Sequence, residues 1–363
     1  MRTTRLLVTA VTVFAALLIP VTVAEAGGPR QSTIASGLNA PRGLAFAPDG
    51  SLYVAEAGTG GAGPCVPGPE GGQVCFGTTG SVTRIGHGQK RVLTGLPSLA
   101  GPGGAQAVGP SDVSFQGEGG MYVTVGLGGN PATLRPQLPA AGQQLGWLLR
   151  NGKRASDISG YEVKANPDGG QIDTNPNSVA ALPGGQAVAD AGGNDLLWVA
   201  SNGKITTIAR FPDRMVVAPP DLGLPPGTQI PMQAVPTSVV RGPDGAFYVG
   251  ELTGFPFQQG AARVWRVVPG HAPQVYAQGF TNIIDIGFDR GTLYVLEIAH
   301  NGLLGADADP SGALLRVDKH GAPAIVSRDL TLPGGLTIKD GNAYVSNCGG
   351  CPGPAGTIVK IRL

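Results

Sequence analysis

Polar residues stand at two recurring places in this chain, and their types set the chemistry open to it. At the first place the residues are Gly43, Asp112, Ser178, Ser238, Asp285 and Gly335, with Arg42 beside the first of them. At the second they are Glu56, Val125, Asp190, Glu251, Glu297 and Asn347. Two carboxylates and two hydroxyls around one opening would suit a hard cation or a polar small molecule, because such cations take several oxygen ligands. Asp112 and Asp285 are the candidate metal ligands, for calcium or another divalent cation. The alternative is a water-lined opening whose polar groups satisfy one another. The second set offers either a general base, Glu251 or Glu297, or acceptors for the backbone N–H groups of nearby loops. Strands lie ~4.8 Å apart, so this outer set forms a wider ring with adjacent members roughly 10 Å or more apart. Metal–oxygen distances of ~2.4 Å keep two of them from sharing an ion without help from loops.

Other familiar chemistry is missing or weak. His87, His271, His300 and His320 are isolated, with no His-x-x-x-His pair, and there is no G-x-S-x-G elbow and no P-loop. Gly58-Thr-Gly-Gly-Ala-Gly63 satisfies G-x-G-x-x-G, but Pro64-Cys65 follows where a helix should start, so it reads as a loop. Asp307-Ala-Asp-Pro-Ser-Gly312 with Asp318 imitates a calcium loop, yet Leu314 to Val317 reads as a strand that carries Asp318 away. Trp147, Trp198 and Trp265 sit in apolar stretches and read as core.

The two sets exist only because the chain repeats. Pro41-Arg-Gly-Leu-Ala-Phe46, the turn Pro48-Asp-Gly50 and Leu52-Tyr-Val-Ala-Glu56 set the frame. Pro236 to Arg241, Pro243-Asp-Gly245 and Phe247-Tyr-Val-Gly-Glu251 repeat it, as do Ile286 to Phe288, Asp289-Arg-Gly291 and Leu293-Tyr-Val-Leu-Glu297. Looser copies start at Pro110, Pro176 and Pro333. Third strands follow at Ser81 to Ile85, Val264 to Val267, Leu314 to Val317 and Ile358 to Ile361, and fourth strands at Arg91 to Thr94 and Gln274 to Ala277. Each unit is a four-stranded antiparallel meander with hairpin turns of the Asp-Gly kind. One such sheet cannot bury both faces alone, so six of them closing into a ring predict an all-β, six-bladed β-propeller. The last unit lacks a fourth strand, and Ser32-Thr-Ile-Ala35 is an orphan strand before the first. The orphan is expected to complete the last blade and lock the ring. The longest irregular stretch, Leu127 to Asp173, is expected to hold a short helix near Ala140 to Gln144. The first set should then ring the central channel, with Asp112 facing Asp285 across it and Gly43 and Gly335 leaving one side open.

Composition agrees. Among 363 residues there are 60 Gly and 32 Pro, far more than helical folds tolerate, while 42% hydrophobic residues suffice for a large core. With 25 Lys+Arg against 24 Asp+Glu there is no basic stripe for nucleic acid. Arg2 and Arg5, the apolar run Leu6 to Ile19 and Ala24-Glu-Ala26 read as a signal peptide over residues 1–26, leaving 27–363 as a single propeller domain. The apolar run is short for a bilayer span, and no later one is long enough, so no membrane span is expected after cleavage. Cys65, Cys75, Cys348 and Cys351 are an even set in an exported chain, which favours disulfides in any of three connectivities. Cys65–Cys75 would staple the Gly/Pro-rich loop between them, and Cys348–Cys351 would close a tight turn.

Several stretches also resemble a known family. They are Ala40-Pro-Arg-Gly-Leu-Ala-Phe46, Gly109-Pro-Ser-Asp-Val113, Asn175-Pro-Asn177, Val188-Ala-Asp-Ala-Gly-Gly-Asn-Asp195, Tyr248-Val-Gly-Glu-Leu-Thr-Gly-Phe-Pro-Phe257 and Gly279-Phe-Thr-Asn-Ile-Ile-Asp285. From about Ser32 to Leu363 the chain is similar to the ScyD/ScyE family of exported, NHL-like propellers. The resemblance implies fold and export and brings no catalytic set to match. Two functions follow as expectations. The first is an extracytoplasmic binding or scaffold module that takes a small molecule or protein on its loop-rich face. The second is a lactonase-like, divalent-metal hydrolase with its cation on Asp112 and Asp285 at the channel mouth.

Overall fold

A computed structural model describes residues 31–363 apart from 70, 118–119 and 319–320. The signal segment read at 1–26 lies outside the described residues. The strands form the six expected blades. Blades I to V begin with the inner strands Pro41–Phe46, Pro110–Gln116, Pro176–Leu182, Pro236–Arg241 and Ile283–Asp289, and blade VI with Gly335–Lys339. In each, the second strand returns antiparallel: Leu52–Glu56, Gly120–Val125, Gly185–Asp190, Phe247–Glu251, Thr292–Glu297 and Asn342–Asn347. Blade VI is completed from the other end of the chain, where Gln31–Leu38 pairs antiparallel with Gly356–Arg362. The orphan strand therefore closes the ring and covers an edge that would otherwise be open.

The repeated apolar residues explain why the blades stack. The valine of the second strand recurs as Val54, Val123, Val188, Val249, Val295 and Val345, all fully buried. The residue after each channel position, Leu44, Val113, Val179, Val239, Ile286 or Leu336, is also buried. Because strand residues alternate between faces, these columns feed the gaps between blades, and each gap holds its own apolar cluster. Burying one such side chain contributes about 1.5–3 kcal/mol, so the ring is held by six comparable interfaces and no single central core.

Three elements depart from the plain repeat. The third strand of blade I runs Gln73–Gly86, well beyond the expected Ser81 to Ile85, and pairs along its first part with Cys65–Pro67. Val66, Val74 and Phe76 on this ribbon pack with Leu127, Leu134 and Leu138, which is why a Gly/Pro-rich segment is ordered there. Cys65 and Cys75 are register partners and form one disulfide; Cys348 and Cys351 form the other. A second ribbon, Arg214–Val217 with Gln229–Met232, lies between blades III and IV. The long insertion carries a 3-10 turn at Ala140–Gln144, as expected, and a true helix at Ile158–Ala165. Asp157 caps that helix by accepting the Gly160 N–H at 2.9 Å, and is itself gripped by both Nη atoms of Arg135 at 3.0 and 2.7 Å. Among the described residues no helix is long and apolar enough to cross a membrane.

Candidate functional site

The channel residues owe their position to β-bulges. Register slips at Pro41/Leu44, Pro110/Asp112, Pro176/Ser178, Pro236/Ser238 and Ile283/Asp285 mark five of the six inner strands. A bulge leaves a backbone N–H outside the ladder, and in blades III and IV the preceding blade takes it. Asp112 Oδ2 accepts the Val179 N–H at 2.8 Å and the Ser178 hydroxyl at 2.9 Å, while Oδ1 accepts the Val113 N–H at 2.7 Å. Ser178 Oγ in turn accepts the Val239 N–H at 3.2 Å. Asp285 does the same with Ile286 at 2.8 Å and, from blade VI, Leu336 at 2.7 Å. Ser238 Oγ is fully buried without a partner.

A second belt runs one residue earlier, with donors in place of acceptors. Ser111 donates to Pro176 O at 2.7 Å, Asn177 to Thr237 O at 2.6 Å, and Thr237 to Ile283 O at 2.7 Å. Ser346 donates to Arg42 O at 2.7 Å, and Arg42 Nη2 reaches Ala107 O at 2.8 Å. The channel wall is thus a blade-to-blade clasp. Gly43 and Gly335 do not leave one side open as expected. A Cβ on Gly43 would fall 2.0 Å from Asp112 Oδ1, and one on Gly335 would fall 2.7 Å from the Gly43 Cα. The carboxylate and the backbone fill that space. Burial pushes the Asp112 carboxyl up to about 7 against the pull of its three donors. Asp285 is pushed well up by burial and by the charge of Asp112 across the axis.

The outer acids close the loops that feed each inner strand. Glu56 accepts the Asn39 N–H at 2.7 Å, Asp190 the Asn175 N–H at 2.6 Å, Glu297 the Thr281 N–H at 2.7 Å and Asn347 the Thr331 N–H at 2.7 Å. Glu56 also holds Ser81, Thr83 and Arg91. Glu251 instead joins Arg214 and the Trp265 indole, each at 2.7 Å, so Trp265 packs in the core and donates as well. Glu297 contacts His300 Nδ1. Burial raises Glu251 to about 7 and Asp190 to about 6, and raises Glu297 too. Asp309 accepts from Asn301 and from the Ser311 N–H as an ordinary turn, and Ser311–Val317 carries Asp318 away.

Where loops lead into the inner strands of blades III and IV, through Asn175 and Val235, they border a depression of about 1040 Å³. Segments from blades I to V line it, including Pro67, Pro69, Leu134, Phe257 and Leu304. Its polar lining is mainly amide and hydroxyl, with Asn130, Thr133, Gln137, Gln171, Asn175 and Gln233 against one acid, Asp173, among the described residues. Such a lining can hold a neutral, hydrogen-bonding molecule of drug-like size against apolar patches.

Comparison with known proteins gives this geometry its setting. No protein-family model and no curated protein matches the sequence. Among solved structures, a structural-genomics protein of unknown function from Bacteroides thetaiotaomicron VPI-5482 superposes with a TM-score of 0.53 at 10% identity, over 92% of this chain and 75% of that one. Virginiamycin B lyase from Staphylococcus aureus follows with a TM-score of 0.46 at 11% identity, over 92% of this chain and 99% of that one. What is shared is the propeller fold. At these identities nothing about activity passes from one chain to the other.

Sequence reasoning missed two parts of this face. The depression is built by loops that do not repeat, so no column could reveal it. A group of acids was missed as well: Asp173 in its wall, and Glu162, Asp168 and Asp195 beside Asp190. The available signal was Asp195, a carboxylate opening the otherwise apolar strand Asp195–Ala200.

Proposed function

We propose that this protein is an exported binding module of the ScyD/ScyE type that holds a neutral small molecule or uncharged chain segment in the depression among its loops. The observation that carries the proposal is the depression itself, large, amide-lined and flanked by Phe257 and Leu304, while the channel carboxylates are occupied in joining blades. Export is supported by the two disulfides and by the signal-like start of the sequence. A divalent-metal hydrolase with Asp112 and Asp285 as ligands has less behind it. Both carboxylates already accept N–H donors through both oxygens, and the general-base candidates Glu251 and Glu297 are held by Arg214, Trp265, Thr281 and His300.

The test is ligand-observed NMR on the full chain with a panel of neutral amphiphiles and short uncharged peptides. Hits should compete with one another, vanish in Phe257→Asp/Leu304→Asp, and survive Asp112→Asn. No hit from the panel, or hits indifferent to the Phe257 and Leu304 changes, would overturn it.

A further inference from the structure

The two ends of the ring differ in charge. The acids of the channel and outer columns, with Asp168 and Asp195, stand at the end where the long loops lie. The opposite end carries the short hairpin turns, and a basic column recurs there that overall neutrality conceals. In five blades a tyrosine of the second strand pairs in register with a cation of the third. The pairs are Tyr53 with Arg84, Tyr122 with Arg150, Tyr248 with Arg266, Tyr294 with Arg316 and Tyr344 with Lys360. Blade III has Ala187 and Trp198 there instead. Arg241, Arg290, Lys339 and Arg362 add to the same end, at or beside its turns.

Acids are fewer at this end, and most belong to the turns. Asp49 accepts the Ser51 N–H at 2.9 Å, Asp318 the Ala322 N–H at 2.9 Å, and Asp244 joins Arg266 at 2.7 Å. Asp289, Asp340 and the Leu363 carboxylate complete the set among the described residues. Arg150, Arg241, Arg290, Arg316 and Arg362 are exposed, and among the described residues none of these five stands in an ion pair. Arg150 lies over the Tyr122 ring and Lys360 over Tyr344, each at 5.8 Å, and Lys339 over Phe46 at 4.5 Å. A ring beneath the stem holds such a cation in place and leaves its outer side to solvent.

Cations spread around one whole end suit a plane of negative charge better than a linear polyanion, which is followed by a stripe or groove. The described chain also begins at this end, where Gln31 pairs with Ile361 beside Arg362. Arg30 and, further back, the apolar run Leu6 to Ile19 are therefore connected to the basic end. We propose that the hairpin-turn end docks on the surface of a bilayer rich in anionic phospholipid, with the loop end directed away from it. It rests on none of the evidence for the ligand in the depression.

The experiment uses the exported form, from Gly27 on, which keeps every described strand and lacks the apolar run, in co-sedimentation with vesicles. Vesicles of phosphatidylcholine with phosphatidylglycerol should carry it down at low salt, and pure phosphatidylcholine should not. Raising NaCl to about 1 M, where the Debye length is about 3 Å, should release it. Arg290→Glu and Arg316→Glu should each weaken binding about tenfold or more, and the two together should abolish it. Lys164→Glu makes the same change of charge on the helix Ile158–Ala165 at the loop end, and should leave binding within about twofold. Soluble dextran sulfate supplies the linear alternative. Absence of binding to anionic vesicles at low salt, whether or not dextran sulfate is captured, would overturn the docking surface. Equal binding to neutral vesicles, or a loss in Lys164→Glu as large as in Arg316→Glu, would do the same.

Discussion

Gly43→Ala is the sharpest probe of the clasp between blades. The new Cβ would sit 2.0 Å from Asp112 Oδ1, where ordinary contact begins at 3.4 Å, so the carboxylate must retreat by about 1.4 Å. The displaced Oδ1 is the acceptor of the Val113 N–H at 2.7 Å, and a shift of that size takes it beyond hydrogen-bonding range. Overpacking costs about 1–3 kcal/mol, and a buried N–H left without an acceptor about 1–3 kcal/mol more. The expected loss is therefore about 2–6 kcal/mol, or roughly 3–9 °C in melting temperature for a chain of this size. Chemical denaturation followed by tryptophan fluorescence reads it directly. Adding Asp112→Ser should restore most of the loss, since Ser178 already accepts the next blade's N–H with a hydroxyl. The double-mutant cycle should then show a coupling above about 1 kcal/mol. A Gly43→Ala protein that melts with the parent, or a second change that brings no rescue, would refute the packing of Asp112 against blade I.

Further outcomes follow from the same contacts. The Asp112 carboxyl stands at about 7 in the folded chain against 3.8 for the free group, so both states hold the proton below pH 4 and the unfolded state ionises first above it. Stability should fall as pH rises from about 4 to 7, by at most about 4 kcal/mol for this group because solvent reaching the channel screens it, and Asp112→Asn should flatten the profile. Deleting Gln31–Leu38 uncovers the edge of Gly356–Arg362 and opens the ring; melting should drop by more than about 10 °C with concentration-dependent association, and a synthetic peptide of that strand should reverse both. Replacing Cys65 and Cys75 together by Ser should cost about 2–3 kcal/mol by denaturant titration, the chain-entropy value for a separation of 10 residues. N-terminal sequencing of the protein recovered outside the cell should begin at Gly27.

How far the sequence carries depends on whether a residue's task repeats. The valine column from Val54 to Val345 and the Asp-Gly turns recur in frame, and they were enough to give blade number, strand order and the closing role of Ser32 to Ala35. The channel column was equally visible, because Asp112, Ser178, Ser238 and Asp285 share one position. Its use as a clasp was not visible, because the partners Val179, Val239 and Leu336 contribute backbone N–H groups, which any residue type but proline supplies. Gly43 likewise read as open space, whereas a glycine at a crowded ring marks the place where a neighbour's atoms have moved in. The non-repeating parts gave least. Glu162 sits on a helix that Asp157 caps and that Ile158 and Tyr161 pack against blade III, and nothing in its own stretch announces the hairpin carboxylates of that blade. Asp195 is the exception that instructs: a carboxyl placed where the frame demands an apolar strand stands out in the sequence, and burial with Asp190 and Glu162 nearby pushes its pKa well up, toward the neutral form.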